Sequence, residues 1–513
     1  MEGNKKITDS KLLKAAVCVL IGVIIWFMPT PQAFTDFVAE GRATATATRD
    51  ASLAAGNMPA AAVTARLANW NAERAWQVLA ITIATIVAII LQPLPMGAVA
   101  IIAITVPVVT RTLPIGTTLD AFRDATIWLI VCAFFISRGF IKTGLGTRIA
   151  FIFMKLLGKN TLGLAYAFVL TDYVMAPAMP SNTARTGGVI MPLIRSLADA
   201  YDSKVENGTE RRIGSFLTKA VFQGDMVVCA MFMTAMAANP LAVSIAAGQG
   251  IEITWMSWFL AALVPGLICM LCIPFIIYKL YPPEIKKSPE AVQIATQRLK
   301  ELGPVTKKEK LMLFVFAFLI VFWIFGPNIH PWLTATATAF MGLSIMLILD
   351  VLTFDDVKSE KAAWDTLVWF AALVMLAGQL NTTGFIPFFS EIVGGAVGGM
   401  GWVAGFAIIA LAYFYSHYFF ASATAHVAAM YGAMLAVSVI IGTPPLLAAL
   451  VLAMFSNVYM GITHYGTGLA PVFFGPGYVP IGKWWGLGFI CSVFNIIIFF
   501  SIGALWWRIL GFW

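Results

Sequence analysis

The sequence predicts an all-α, polytopic membrane protein built from two inverted repeats, and three observations support this prediction. Of its 513 residues, 60% are hydrophobic and 11% are charged, whereas about 25% of the residues in a soluble domain are charged. Apolar segments long enough to cross about 30 Å of hydrocarbon recur along the chain. A polar motif at residues 181–185 returns in altered form at residues 422–426. These features exclude a cytosolic enzyme, a disordered scaffold and a nucleic-acid-binding protein.

Eleven segments are candidate transmembrane helices, and two further apolar segments are interrupted near their centres. The candidate spans are residues 12–30, 75–92, 95–113, 124–158, 213–248, 254–281, 309–327, 333–351, 364–396, 443–478 and 482–510. The interrupted segments, 161–200 and 400–440, carry Pro-Ser-Asn-Thr and Ala-Ser-Ala-Thr near the middle. We predict that each forms a re-entrant hairpin of two half-length helices, because irregular backbone at membrane depth requires surrounding protein or water.

Loop charges predict the orientation of the chain. Residues 279–310 carry eight lysines and arginines against four glutamates, whereas the charges in residues 31–74 are balanced. The positive-inside rule therefore places the 279–310 loop in the cytoplasm. Six spans separate this loop from the N-terminus, so the N-terminus is also cytoplasmic. The Ala/Thr-rich segment 39–72 then becomes an external insertion, for which an interfacial helix is an open possibility.

No metal, cofactor or enzymatic site is predicted. All six cysteines lie in apolar segments, and the Cys269/Cys272 pair lacks a second ligand pair. His417 and His464 have no carboxylate or thiolate neighbours at ligand spacing. The sequence also lacks the motifs of an intramembrane hydrolase. A transporter is therefore favoured, and an ion channel is the remaining alternative, which the rate of flux would distinguish.

The repeated motif indicates a binding site near the membrane midplane. The pentapeptide Ser-Asn-Thr-Ala-Arg at 181–185 corresponds to Ser-Ala-Thr-Ala-His at 422–426, and Thr143-Gly144 corresponds to Thr383-Gly384. Repeats with polar breaks at matching places are typical of secondary transporters. Two broken spans follow the hairpins, near 234–240 and 463–471, where proline and glycine interrupt the helix.

The two hairpin tips are predicted to bind a dicarboxylate. Half-helices expose unpaired N–H groups and a partial positive charge at their N-terminal ends. Two facing tips would therefore hold a molecule with an anionic group at each end. The predicted substrate-binding residues are Ser181, Asn182, Thr183, Ser422, Ala423 and Thr424 at the tips, with Asn239, Pro240, Thr467 and Gly468 in the broken spans. Helix capping by the hydroxyl groups and simple kinks in the broken spans are the alternatives.

Residues 180–188, residues 140–146 and the 422–426 motif resemble the divalent anion:sodium symporter family over nearly the whole chain outside the 39–72 insert. The resemblance implies a homodimer in which each protomer has a scaffold domain and an elevator-like transport domain. It also implies substrates such as succinate, malate, 2-oxoglutarate, citrate, tartrate or sulfate. Family symporters carry Ser-Asn-Thr at both tips, and these asparagines help to form two sodium sites. Ala423 replaces the second asparagine here, so the chain is similar to the family's sodium-independent antiporter branch.

Arg185 and His426 are the predicted charge-compensating residues. A bare dianion cannot cross a bilayer, so its charge must be neutralised inside the carrier. Arg185 and a protonated His426 would match two negative charges, and the cost of burying both cations unpaired would prevent return of the empty carrier. Two alternatives remain open: Arg185 can pair with Asp172 across the first hairpin, and His426 can be neutral because burial disfavours its charged form. Asp225 is a further intramembrane charge without an assigned partner.

The predicted domain boundaries follow the repeats. Scaffold helices occupy residues 1–113, with the external insert at 39–72. The first repeat core, 114–281, contains the hairpin 161–200 and the broken helix near 234–240; a cytoplasmic linker, 282–310, follows. Scaffold helices of the second repeat occupy 311–396, and residues 397–513 hold the hairpin 400–440, the broken helix near 463–471 and the last helix.

The sequence therefore predicts a dicarboxylate exchanger of a prokaryotic plasma (inner) membrane. Its expected partners are dicarboxylate anions, the lipid bilayer and a second copy of the chain, with no nucleic acid. A sodium-coupled di- or tricarboxylate symporter that uses Asn182 is the alternative.

Overall fold

The computed structural model describes residues 2–55, 57–397 and 401–513 and is helical throughout. The α-helices of the first half are Glu2–Phe27, Gln32–Ala54, Ala61–Asn69, Ala72–Leu91, Met96–Val109, Ile115–Leu119, Ala125–Thr143, Leu145–Leu157, Thr161–Met175, Met191–Ala200, Gly214–Met231, Ala238–Gly248 and Trp255–Leu280. Those of the second half are Pro289–Glu301, Lys307–Ile329, Ala335–Ile348, Phe354–Ser359, Lys361–Thr382, Phe385–Val397, Trp402–Tyr415, Ala423–His426, Gly432–Ile440, Pro445–Val458, Ala470–Phe474, Ile481–Ile498 and Ala504–Ile509. Short 3₁₀ segments are Asp120–Arg123, Ala176–Ala178, Ser416–Phe419 and Tyr459–Ile462, and π-helical segments are Thr183–Ile190, Val427–Tyr431 and Phe499–Gly503.

The structure has about as many membrane-length helices as the eleven predicted, but the prediction counted the two hairpins separately. Among the described residues, ten helical segments are long and apolar enough to cross a membrane, or eleven if the bent pair Lys11–Phe27 and Gln32–Ala54 is one span. Three of the ten are hairpin arms: Thr161–Ala178, Trp402–Phe419 and Ala423–Ile440. The predicted spans 95–113 and 333–351 become helices of only 14 residues, about 21 Å long at 1.5 Å per residue.

Two predicted spans are each divided by a glycine, and the prediction of one continuous helix was wrong in both. Segment 124–158 ends its first helix at Gly144 (φ 74°), and segment 364–396 is interrupted at Gly384 (φ 99°). A left-handed residue after the last turn ends an α-helix, and glycine adopts this conformation without a Cβ penalty. These glycines belong to the matching Thr-Gly pairs, so the two repeats share this break.

The first hairpin consists of two arms joined by a non-helical tip. The outgoing arm runs through Thr161–Met175 and the 3₁₀ turn Ala176–Ala178, and the return arm through Thr183–Ile190 and Met191–Ala200. An ion pair between Asp172 and Arg185 joins the arms. The helix–break–helix prediction for 161–200 is therefore confirmed.

The second hairpin repeats this order of elements. Its outgoing arm is Trp402–Tyr415 followed by the 3₁₀ turn Ser416–Phe419, and its return arm begins at Ala423 and passes through a π-helical turn to Ile440. The first predicted residue of this hairpin, Met400, lies outside the described residues. A 3₁₀ turn before each tip and a π-helical turn after it place the two tip motifs in equivalent backbone positions.

Two broken helices lie at the centre of the fold. The helix Gly214–Met231 is buried along all of its 18 residues, and non-helical residues separate it from Ala238–Gly248. The second broken helix leaves its helical path after Ile462 and resumes at Ala470. Both predicted interruptions are therefore present.

The insert and the linker are helical and pack onto the membrane helices. Trp70 of the insert forms a small core with Phe34 and Val38, which precede the insert, and with Phe385 and Phe388. At the end of the linker, Glu309 and the Gly303 carbonyl accept hydrogen bonds from Arg148, at 2.5 Å and 2.9 Å. A buried ion pair therefore fixes the end of the linker to the helix Leu145–Leu157.

Candidate functional site

The serine of each hairpin tip caps the return arm. The Oγ of Ser181 accepts a hydrogen bond from the Ala184 amide at 3.2 Å, and the Oγ of Ser422 accepts one from the Ala425 amide at 3.3 Å. Each oxygen thereby satisfies one of the orphan donors of a helix start. The capping role left open by the sequence is therefore present at both tips, in the same geometry.

The second broken helix lies between the two tips. His417, which precedes the second tip, approaches the Gly466 carbonyl with its Nε2 at 3.0 Å. On the other side, a Cβ built on Gly468 would lie 3.6 Å from the Oγ1 of Thr183. The structure therefore brings together Thr183 and Gly468, two of the predicted substrate-binding residues, and leaves both exposed.

Of the other predicted residues, Ser181, Ser422 and Thr424 are half-buried, whereas Asn182, Ala423 and Thr467 are buried. The amide of Asn182 donates to the Oδ2 of Asp225 at 3.2 Å. Of the polar residues at the first tip, Thr183 is therefore the exposed one.

Asn239 and Pro240 are buried in the first broken helix instead of facing the open side of the tips. Both amide hydrogens of Asn239 are occupied, by the carbonyls of Cys229 at 2.9 Å and Phe232 at 3.0 Å. Its Oδ1 accepts a hydrogen bond from Asn457 at 2.8 Å. Asn239 therefore satisfies carbonyls freed by the helix break and connects the two broken helices, a structural role that differs from the predicted substrate contact.

Arg185 is fully buried and has two acidic partners. Its Nε donates to Asp172, and its Nη2 lies 3.3 Å from the Oδ1 of Asp225. Its Nη1 donates to the carbonyls of Met179 at 2.6 Å and Ala235 at 2.9 Å. The guanidinium therefore joins both arms of the first hairpin to the first broken helix.

This geometry corrects the prediction that Arg185 meets the substrate as an unpaired cation. With Asp172 and Asp225 ionised, the cluster of three side chains has a formal charge of −1 and supplies no excess positive charge. The hydroxyl oxygen of Thr186 lies 3.1 Å from Asp172 and 2.5 Å from Asp225, so its one hydrogen can be donated to either carboxylate. The alternative left open by the sequence, an Asp172–Arg185 ion pair, is confirmed.

His426 is buried and forms a pair with His417. Their Nδ1 atoms are 3.1 Å apart, and the Nε2 of His426 lies 3.0 Å from the Oγ of Ser416. The rings of Phe420 and Tyr459 stack on His426 at centroid distances of 4.4 Å and 4.7 Å. His426 is thus held by hydrogen bonds and aromatic faces, without a carboxylate among these contacts in the described residues.

A cavity of about 440 Å³ begins beside the first tip. Its lining runs along the return arm from Gly187 through Arg195 to Asp199 and includes Val472 of the second broken helix. Gly187 lies one helical turn beyond Thr183. The cavity therefore extends along the return arm toward the end of the hairpin, where Tyr201 donates to Glu290 of the linker helix Pro289–Glu301 at 2.8 Å.

Sequence reasoning missed Asn457, Lys219 and the pairing of His417 with His426. Lys219 is fully buried with its Nζ 4.1 Å from the centroid of the Trp484 ring, and it makes no hydrogen bond among the described residues. A lysine inside an apolar span was a readable signal for this residue. The partners of Asn457 and His417 lie on distant segments, and their residue types alone did not indicate them.

The sequence matches the family described as the sodium:sulfate symporter transmembrane region over residues 68–513. It is 51% identical to YflS of Bacillus subtilis (strain 168), whose name marks malate transport as its proposed activity, over 98% of this chain and 97% of that protein. It is 45% identical to dicarboxylate transporter 1, chloroplastic, of Spinacia oleracea, over 96% of this chain and 81% of that protein. It is also 38% identical to the Escherichia coli (strain K12) inner membrane protein YbhI, over 86% and 93% of the two chains.

Two solved transporter structures share the fold at low sequence identity. MtrF of Neisseria gonorrhoeae superposes with a TM-score of 0.55 at 13% identity, covering 78% of this chain and 84% of MtrF. YdaH of Alcanivorax borkumensis gives a TM-score of 0.50 at 11% identity, covering 79% and 89%. At this identity the likeness concerns the fold alone.

Proposed function

The chain belongs to the sodium:sulfate symporter family, and from this premise we propose that it exchanges dicarboxylates across a membrane without sodium. Family membership and the names of its relatives establish that it is a membrane transporter and not an enzyme. The proposal of dicarboxylate exchange rests mainly on the position of the second broken helix, which contacts one hairpin tip near Gly466 and the other at Gly468.

This arrangement suits a substrate with an anionic group at each end. The return arms of both hairpins begin at the tips, so their N-terminal ends, with partial positive charge, converge on the segment between them. Thr183 adds an exposed hydroxyl donor of the right length for a carboxylate oxygen. The relatives named for malate and dicarboxylate transport support the same substrate class.

The absence of a side-chain oxygen at Ala423 supports sodium independence. Ala423 is buried and stands where family symporters, by the resemblance described above, carry a sodium-site asparagine. A carrier without a co-ion must return with its donors at the tips unpaired, and burying unpaired polar groups is costly. Return with a second dicarboxylate satisfies these donors, which favours exchange over net uptake.

Charge compensation in this proposal depends on the helix ends and His426, because Arg185 already has two acidic partners. Arg185 instead keeps the first tip rigid. It connects the two arms of the first hairpin to the carbonyl of Ala235 in the first broken helix, so the tip and this helix would move as one unit.

The same unit is the basis of the proposed elevator mechanism. We assign both hairpins and both broken helices to a transport domain, within a homodimer of an inner membrane whose N-termini are cytoplasmic. The cavity from Gly187 to Asp199 approaches the linker side of the fold. In the proposed orientation this side is cytoplasmic, which supports the assignment of this conformation to an inward-facing state.

Vesicle exchange tests the proposal. Purified protein is reconstituted in liposomes loaded with malate or left empty, and uptake of labelled malate is followed in sodium-free buffer. Rapid uptake only into the loaded vesicles is expected. Equal uptake into empty vesicles would exclude obligatory exchange.

A matched pair of threonine variants tests the site. Thr183→Val removes a hydroxyl that meets the substrate, and losing a hydrogen bond to a charged group costs about 1.5–3 kcal/mol. The apparent affinity for malate should fall by roughly 10- to 100-fold. Thr105→Val is the control, because Thr105 lies in the helix Met96–Val109, away from the tips, and among the described residues its hydroxyl bonds only to the Ile101 carbonyl of that helix. Similar affinities for the two variants would contradict the proposed site.

Sodium-coupled uptake is the second candidate, and the presence of Asn182 at the first tip favours it, because family symporters, by the resemblance described above, use the asparagine of this motif in a sodium site. Malate uptake into empty vesicles that requires an inward sodium gradient and generates current would support this candidate and overturn sodium-independent exchange. Exchange rates that are unchanged when sodium replaces choline would eliminate it.

A further inference from the structure

We propose that the pair His417–His426, together with Ser416, takes up one proton when a dicarboxylate binds. The inference rests on the proposed function and adds to it a second binding event at the same site. It follows from the hydrogen-bonding partners of the two rings, from their surroundings and from their position against the second broken helix.

The partners of the two rings determine where hydrogens lie in the neutral pair. The Gly466 carbonyl can only accept, so the Nε2 of His417, at 3.0 Å, carries a hydrogen. The Nδ1 of neutral His417 is then an acceptor, and the Nδ1 of His426, 3.1 Å away, must donate to it. The remaining ring nitrogen, Nε2 of His426, is therefore an acceptor and takes the hydrogen of the Ser416 hydroxyl at 3.0 Å.

One additional proton fits this network without displacing a heavy atom. The proton binds to the Nε2 of His426, which then donates to the Oγ of Ser416. The Ser416 hydroxyl rotates and donates to the Tyr413 carbonyl, 2.8 Å away. Every nitrogen of the pair retains a partner, and the hydrogen between the two Nδ1 atoms can be shared by both rings.

The surroundings favour the neutral pair while the site is empty. The rings contact Ser416, Phe420, Gly466, Tyr413 and Tyr459, and the titratable groups among them are the two tyrosines. In the described residues these contacts include no carboxylate. A buried charge without a counter-ion is costly, and only the stacked aromatic faces, with Tyr459 at 3.9 Å from the His417 ring centroid, offset part of that cost.

A dianion between the tips supplies the missing counter-charge. His417 contacts Gly466 of the second broken helix, two residues before Gly468, which approaches the first tip. His426 lies on the return arm of the second hairpin, which begins at Ala423. A carboxylate held at the second tip would therefore lie close to the pair and favour its charged form. By linkage, binding of the dianion and binding of the proton strengthen each other equally.

Calorimetry and pH titration of the full-length protein in detergent test the inference with malate as the probe. Proton uptake is obtained from binding enthalpies in buffers that differ in ionisation enthalpy, between about pH 6.5 and 8.5, where malate is a dianion. We expect about one proton per malate, and an apparent Kd that rises by up to about tenfold per pH unit as pH increases through the range of the pair. Malate binding without proton uptake overturns the inference and leaves the proposed function intact, whereas no malate binding overturns the proposed function.

Variants assign the proton to the pair. His417→Gln and His426→Gln should each reduce the proton count toward zero and flatten the pH dependence of the Kd. His464→Gln is the matched control, because His464 lies on the second broken helix, two residues before Gly466, but accepts from Trp485 at 3.0 Å and has no hydrogen bond or ring contact with the pair among the described residues. Lys219→Met tests whether the buried amine of Lys219 takes up the proton instead. Proton uptake that persists in both His417→Gln and His426→Gln, or that disappears only in Lys219→Met, contradicts the assignment to the histidine pair. If the glutamine variants fail to fold, the proton count of the wild-type protein decides whether a proton is taken up with malate.

Discussion

The two hairpins share a backbone plan but contain opposite kinds of chemistry. Each has a 3₁₀ turn before its tip, a serine cap at the tip and a π-helical turn after it. In the first hairpin, residues 172 and 185 are an aspartate and an arginine joined by a buried ion pair. The corresponding residues of the second are Tyr413 and His426, which pack with ring centroids 4.7 Å apart.

The two repeats therefore share their backbone geometry but differ in the charges that their hairpins contain. The ion pairs of Arg185 involve both arms of the first hairpin and the helix Gly214–Met231, so they fix the first tip in place. The second hairpin contains two buried, hydrogen-bonded histidines, for which we propose a change of protonation. The following predictions test this contrast between a fixed hairpin and an adjustable one.

The largest effect is expected from Arg185→Met. Removing the guanidinium leaves Asp172 and Asp225 buried without their cation, and breaking a buried pair in this way costs about 3–5 kcal/mol. Thermal unfolding in detergent should show a large loss of stability. Arg195→Met on the same arm is the control, because Arg195 is exposed in the cavity. A wild-type melting temperature for Arg185→Met would show that the first hairpin is not held by its ion pairs.

An intermediate effect is expected at the glycines that end the matching helices of the two repeats. Gly144→Ala and Gly384→Ala both place a Cβ at positive φ, which costs roughly 1–2 kcal/mol. A Cβ on Gly384 would also lie 3.2 Å from the Trp70 ring, whereas among the described residues no atom lies within 4 Å of a Cβ on Gly144. Gly384→Ala should therefore lower the melting temperature more than Gly144→Ala, and the reverse order would mean that the contact with Trp70 does not constrain this break.

The smallest effect is expected from Tyr413→Phe in the second hairpin. The Tyr413 hydroxyl is 2.7 Å from the Oγ of Ser456, which donates to the Leu452 carbonyl at 2.9 Å. Losing one neutral hydrogen bond costs about 0.5–1.5 kcal/mol, well below the effect of Arg185→Met at its structural counterpart. Chemical denaturation of both variants under identical conditions gives the comparison, and losses of equal size would remove the distinction between the hairpins.

Several features of the fold and the site were readable from the sequence. The composition indicated a polytopic membrane protein, and proline, serine and glycine marked the two tips and both broken helices. The glycines at 144 and 384 were recognised as a matching pair but not as helix ends, because hydropathy alone does not distinguish one long helix from two helices joined by a left-handed residue. Asn239 was read as a substrate contact, although its amide satisfies carbonyls within the same broken helix.

By itself, the sequence determined where the two hairpins and the two broken helices are interrupted and which polar groups lie at those interruptions, because local propensity and apolar length act within a few residues of the chain. The tertiary structure decided what those groups do. Arg185 meets Asp225, 40 positions along the chain, only because the helix Gly214–Met231 packs beside the first hairpin. The net charge of a buried group depends on the neighbours that replace its water, and these neighbours come from distant segments of the chain.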